Sequence, residues 1–123
     1  MRSQLRSRRK VSGGRYKATR KKKLREVARD TFYTKIGKKK INVYRGKSAI
    51  IKRSLLSAEE VNVFDGKKYQ KVKIITVVEN SANRHFVRRN IITKGAIIQT
   101  ELGNAKIVNR PGQEGHITAV LVK

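Results

Sequence analysis

The chain has 123 residues, with 32 Lys and Arg against 8 Asp and Glu, a formal net charge of +24 and no cysteine. This length suits one domain and leaves little for a second core, and the missing thiols exclude a disulfide scaffold, a thiolate zinc site and a cysteine nucleophile. A charge this large repels itself until a polyanion neutralises it, so the expected partner is nucleic acid. A basic membrane-surface segment would need an amphipathic helix, whereas the apolar residues here fall into short β-like runs. No run is long enough to span a bilayer, and no secretory signal is expected.

Between Met1 and Arg25 stand twelve basic residues and no acidic one, the first carboxylate being Glu26. They are Arg2, Arg6, Arg8, Arg9, Lys10, Arg15, Lys17, Arg20, Lys21, Lys22, Lys23 and Arg25. Such a segment buries too little apolar surface to offset the entropy of ordering it, so residues 1–35 are expected to form an extended basic arm, disordered when free. Ser12, Gly13 and Gly14 read as a flexible joint where the backbone approaches phosphates closely, and Tyr16 as a ring for stacking on a base or anchoring the arm. A lone cluster such as Arg20 to Lys23 would read as a solvated face or a nuclear localisation signal. The extent of the charge, with Gly, Ser and Tyr interleaved, points instead to phosphate contact. Leu24, Val27 and Ala28 have helical spacing, which suggests a short, marginal helix over 22–30.

From about residue 36 to 123, Val, Ile and Thr become frequent and Gly-containing turns recur about every dozen residues. That pattern predicts an all-β body, a small antiparallel β-barrel-like domain of about six strands with one core. Residues 40–44 and 48–56 read as a hairpin turned by Arg45-Gly46. Residues 61–64 and 69–78 read as a second, turned by Asp65-Gly66 in type I′ geometry. The apolar run Ile74 to Val78 is expected in the core. Residues 96–100 and 105–108 flank a turn at Leu102-Gly103-Asn104, Pro111-Gly112 suits a type II turn, and residues 117–122 form the closing strand.

Between the second hairpin and Ala96 lies a basic loop, residues 79–95, reading ENSANRHFVRRNIITKG. Asn80, Asn83 and Asn90 can donate and accept, Arg84, Arg88 and Arg89 can fork onto phosphates, and His85 and Phe86 can stack on exposed bases. Lys94 adds charge at the end of the loop. This mixture suits irregular or single-stranded RNA, although Phe86 and Val87 read equally well as a satellite of the core.

Other motifs carry no chemistry. Arg45-Gly46-Lys47-Ser48 has the tail of a P-loop, but Ile41 stands where the first glycine belongs and a strand follows. His85 and His116 have no carboxylate at a telling spacing and make a poor metal set without cysteine. Ser57-Ala58-Glu59-Glu60 has capping-box form but precedes β-branched residues, and on a strand Glu59 and Glu60 would point to opposite faces. No catalytic residue, metal, cofactor or small-molecule substrate is expected.

The stretch ENSANRHFVRRNIITKGAIIQTELG closely resembles the archaeal and eukaryotic small-subunit ribosomal protein family number eight, the type with no bacterial counterpart. The resemblance covers nearly the whole chain. It extends to Arg8–Arg15 with its Ser-Gly-Gly-Arg element, to the Arg20–Lys23 run, and to Arg110-Pro111-Gly112-Gln113 with the final strand. It implies a β-barrel-like body on small-subunit ribosomal RNA in the cytoplasmic ribosome, beside neighbouring ribosomal proteins. An arm would run into crevices between RNA helices, and no catalysis is implied. Family members usually carry Pro where this chain has Ser81 and Tyr where it has Phe86, and the loop between Arg45 and Ile50 is shorter than the Gly-Gly-Asn type common there. The length resembles the archaeal form. A related family of assembly factors shares the barrel. A chromatin-type DNA binder is disfavoured because neither a recognition helix nor a dimer-forming heptad pattern is evident.

Overall fold

A computed structural model describes residues 7–17, 20–23, 26–28 and 30–122. The chain divides into two units, Met1–Thr31 and Phe32–Lys123. In the first, none of the described residues is buried. In the second, nine strands and two short helices surround one apolar core.

The second unit begins with β1 (Thr34–Ile36), β2 (Lys40–Arg45), a 3-10 turn (Lys47–Ala49) and β3 (Ile51–Ala58). These strands and β6 (Ile91–Ile92) make a four-stranded sheet in the order β2-β3-β1-β6. The remaining strands, β4 (Glu60–Phe64), β5 (Tyr69–Glu79), β7 (Ile97–Thr100), β8 (Gly103–Ile107) and β9 (Thr118–Leu121), close into a five-stranded barrel. Closure leaves no barrel edge free to pair with another chain. Helix α1 (His85–Arg88) follows β5, and α2 (Pro111–Glu114) precedes β9.

The all-β reading holds, but the arrangement differs from a single antiparallel barrel of about six strands. The described residues form nine strands in two sheets, and β1 pairs with β3, and β4 with β9, in parallel. The parallel pairs join strands distant in sequence, so no local turn signal announces them. The β4–β9 pair closes the barrel, and Asn62 donates its N–H to the Ile117 carbonyl at 3.0 Å beside it.

Alternation supplies the core. Val61 and Val63 of β4, Val72 and Ile74 of β5, Ile98 of β7, Ala105 and Ile107 of β8 and Ala119 of β9 are buried, with Leu55 of β3 fully so. The expectation that the whole run Ile74 to Val78 is buried is corrected. The β5–β7 register shifts between Ile74 and Thr76 and again between Val77 and Glu79. Each irregularity inserts a residue and resets which face points inward, so Ile74 and Val77 are buried while Ile75 is 57% and Val78 49% exposed.

Three turn assignments are also revised. The β2–β3 connection is longer than Arg45-Gly46. Ser48 and Ala49 lie at φ 55° and 58° in the 3-10 turn instead of starting a strand, a left-handed geometry that costs about 1–2 kcal/mol per non-glycine residue. The β4–β5 hairpin has a four-residue loop in which Asp65 N–H reaches the Lys68 carbonyl at 3.2 Å. Gly66 alone has φ above zero there, so the two positive φ angles of a type I′ turn are absent, and the Phe64 and Tyr69 rings pair across the strands 4.9 Å apart instead. Pro111 opens α2 with no type II turn at Gly112, whose φ is not positive. Proline is pre-set for a first helical position, and the Gly112 backbone packs so close to the Phe32 carbonyl that a Cβ would stand 3.3 Å from it.

Candidate nucleic-acid interface

In the first unit the stretch expected to be an extended joint is a tight reversal. Arg9 and Arg15 form an antiparallel bridge, Lys10 N–H donates to the Gly14 carbonyl at 2.7 Å, and Tyr16 N–H to the Arg8 carbonyl at 3.2 Å. Gly13 sits at φ 82°, a conformation glycine adopts without a Cβ penalty, and its carbonyl accepts from the Arg9 guanidinium at 3.1 Å. Lys10 Nζ lies 5.9 Å from the Tyr16 ring centre, a cation–π distance. The reversal therefore displays Arg8, Arg9, Lys10, Arg15, Tyr16 and Lys17 around one exposed turn whose tip is Val11-Ser12-Gly13.

The next basic run is organised by the first carboxylate. Both guanidinium nitrogens of Arg20 bond Glu26, at 2.8 and 3.0 Å, and Glu26 also accepts the Lys23 N–H at 3.1 Å. The Arg20 hydrogen bond, followed by the Lys23 N–H, holds the Glu26 carboxyl down at about 2, while the Glu26 carboxylate raises Arg20. Arg20, expected to meet phosphate, thus closes a loop, leaving Lys21, Lys22 and Lys23 exposed upon it. Arg2, Arg6 and Arg25 lie outside the described residues, as do Leu24, Arg25 and Arg29 of the short helix expected over 22–30.

In the second unit, the loop expected over 79–95 contains α1 and β6. Asn80 is buried, and its role is structural. Its amide nitrogen donates to the Ile91 carbonyl at 3.1 Å, while its oxygen accepts from Ala82 N–H at 3.0 Å and from the Thr93 hydroxyl at 2.9 Å. Those three bonds tie both ends of the segment together. Asn83 accepts the His85 N–H at 2.9 Å, satisfying an otherwise orphaned donor at the start of α1. Asn90 ends the helical turn at φ 48° and accepts the Thr76 hydroxyl at 3.3 Å.

Helical spacing then sorts the side chains. Arg84 and Arg88, four residues apart, are exposed, and His85 beside them is exposed too. Phe86 and Arg89, three apart, both meet Tyr33. The two rings lie 5.3 Å apart, tilted by 60°, and the Arg89 guanidinium carbon is 5.9 Å from the Tyr33 ring centre. Phe86 is half-buried at the margin of the core, whereas Val87 packs against the core itself. Tyr33 sits some fifty residues before Phe86, so the sequence does not link the two rings. Its only local signal was an aromatic residue just before an alternating strand.

Lys94 does not join this cluster. It lines a separate hollow of about 400 Å³ whose walls are mainly apolar, Ile107, Val108, Val120 and Leu121 among them. The histidines give no acid–base pair. Among the described residues His85 has no carboxylate partner, and the exposed His116 approaches the Glu114 carboxylate only at 3.8 Å. Asn109 braces that corner, its amide bonding Glu114 and the His116 carbonyl. That amide, followed by the Arg110 N–H, lowers the Glu114 carboxyl. No helix among the described residues is long and apolar enough to cross a membrane.

The described cations outnumber the available carboxylates, and those on α1 stand on a platform fixed by Asn80 and the Tyr33–Phe86 pair. A family model described as ribosomal protein S8e, a family of structural, non-enzymatic proteins, matches residues 3–122. The chain is 51% identical over 117 residues to the small ribosomal subunit protein eS8 of Methanocorpusculum labreanum, covering 94% of both chains. It is 48% identical over 124 residues to that of Methanocella arvoryzae, covering 99% of both. Against that of Methanococcus aeolicus the identity is 46% over 119 residues, covering 94% of this chain and 93% of the other. A match of this extent, running through both the basic segments and the barrel, means that the chain belongs to the ribosomal protein S8e family.

Proposed function

We propose that this chain is a structural constituent of the small ribosomal subunit in the cytoplasm, bound to ribosomal RNA and to neighbouring small-subunit proteins. The observation that carries the reading is the near-full-length similarity to proteins named as small-subunit components. In this reading the arm, whose limit moves from residue 35 to residue 31 because Thr34 is buried in β1, orders on the RNA while the body, residues 32–123, seats it. Arm cations neutralise phosphates, since the exposed Arg8, Arg9, Lys10, Arg15, Lys17 and Lys21 to Lys23 surround backbone turns that bring their charges close together. On the body, Arg84 and Arg88 bind phosphates, and Arg89 and Phe86 present a stacking face together with Tyr33.

Sedimentation of cell extract through a gradient, first at low and then at high salt, tests the assignment. Persistence on mature small subunits after the high-salt wash is the expected result. Confinement to precursor particles would identify an assembly factor instead, and absence from both would leave only a general polyanion binder.

A further inference from the structure

Neither basic region of the proposed function includes the ribbon formed by β2 and β3. From Thr31 to Ala58 the sequence holds eight basic residues and no acidic one, and all eight are exposed. Four of them, Arg45, Lys47, Lys52 and Arg53, crowd the outer end of the ribbon, and none makes an ion pair among the described residues. In this antiparallel ladder directly paired residues share a face, so Val43 lies beside Arg53 and Arg45 beside Ile51, each pair setting an apolar side chain against a cation. Val43, Ile50 and Ile51 are 57%, 59% and 64% exposed, far beyond what a strand packed on its own core requires. The connecting turn holds Ser48 and Ala49 in left-handed backbone, a conformation that non-glycine residues keep only where the surroundings enforce it. One or two charges would suffice to stop an edge strand from pairing with another chain, and the five carried by the ribbon and its turn, Lys40, Arg45, Lys47, Lys52 and Arg53, exceed that need.

We propose that the β2–β3 ribbon is a third RNA-binding element, directed at double-helical RNA. It lies along the shallow minor groove with Arg45, Lys47, Lys52 and Arg53 on the flanking phosphates and Val43, Ile50 and Ile51 against the sugar edges. The side-chain chemistry favours a duplex. The face that carries Val43, Arg45, Ile51 and Arg53 has no aromatic ring and no amide side chain, the groups that single strands require for stacking and base reading, because Asn42 and Tyr44 alternate to the opposite, half-buried face. A-form minor grooves instead present sugars and phosphates over a wide, shallow surface, which aliphatic and cationic side chains match. The inference rests on the RNA-binding reading above.

The test uses the full chain with Arg45, Lys47, Lys52 and Arg53 replaced together by Gln. These substitutions keep the first two methylenes of each stem, including the Arg53 Cβ that packs against Gly115, and a thermal melt confirms the fold. Affinity is measured against a perfect RNA duplex of about 20 base pairs and against an unstructured single strand over a range of salt. The expected result is a salt slope on the duplex shallower by about 3, with affinity for the single strand changed less than about twofold. Equal loss on both RNAs would overturn the duplex assignment and leave a nonspecific patch. No loss on either would overturn it in favour of another partner, such as a protein. If the unaltered chain bound neither RNA, the broader RNA-binding reading would fail with it.

Discussion

The two basic regions present their charge on different physical supports. Between residues 7 and 28 the described backbone is shaped by short-range hydrogen bonds and one Arg20–Glu26 pair, with no buried residue beneath it. Around α1 the cations ride on a segment pinned by a buried asparagine and by Ile91 and Ile92 in the core. The first can be reshaped by whatever it binds at little enthalpic cost. The second meets a partner already ordered, so less entropy is lost on binding. The difference suits a division between affinity from the arm and specificity from the platform.

Removing residues 1–31 should have the largest effect on binding. If the arm makes about ten phosphate contacts, the slope of log affinity against log salt should flatten by about 7 to 9 units, while the body keeps its thermal melt because its core lies within Phe32–Lys123. An unchanged slope in filter binding would remove the arm from the interface. Replacing Arg84, Arg88 and Arg89 by Gln should have a smaller, more selective effect, a loss on the order of 10- to 100-fold for the cognate ribosomal RNA fragment and much less for random RNA. Equal losses on both would reduce the platform to another patch of charge.

Asn80→Ala separates support from contact. It strands the Ile91 carbonyl and the Ala82 N–H, so chemical denaturation should register a loss of about 2 kcal/mol, and binding by the platform should weaken although residue 80 is buried away from any partner. A variant as stable as the parent would show that Asn80 does not hold the segment. The smallest effect concerns Glu26. Its carboxyl is held at about 2, below its ordinary 4.5, so the closure it makes with Arg20 is fully present above pH 4.5 and is lost only as pH falls through about 2. Carboxyl chemical shifts followed by NMR should therefore show Glu26 ionised at pH 3.5, and an ordinary midpoint would mean that the loop is open in solution.

Much of the body was legible from alternation and turn residues. The β4–β5 and β7–β8 hairpins stand close to where Val61-x-Val63, Asp65-Gly66 and Leu102-Gly103 indicated, because neighbouring strands and their turns are local features. Within the candidate site, the exposure of Arg84, Arg88 and His85 agrees with their polarity, whereas Asn80, grouped with Asn83 and Asn90 as able to donate and accept, is a buried clamp. Side-chain chemistry is the same in either role, and only the distant partners Ile91 and Thr93 decide between them. Ser12-Gly13-Gly14 read as a loose joint, yet glycine's freedom serves a closed turn equally well, and the Arg9 and Gly14 bonds select the turn.

By itself the sequence determined the all-β character of the body, the cationic charge and its concentration in particular segments. These follow from residue type and from periods of a few residues. Only the tertiary structure decided the parallel pairings β1–β3 and β4–β9, the resets of β5 that expose Ile75 and Val78, and the meeting of Tyr33 with Phe86 and Arg89. Each depends on residues brought together by chain closure over long separations, and no local pattern encodes which distant partner a strand or a ring will meet.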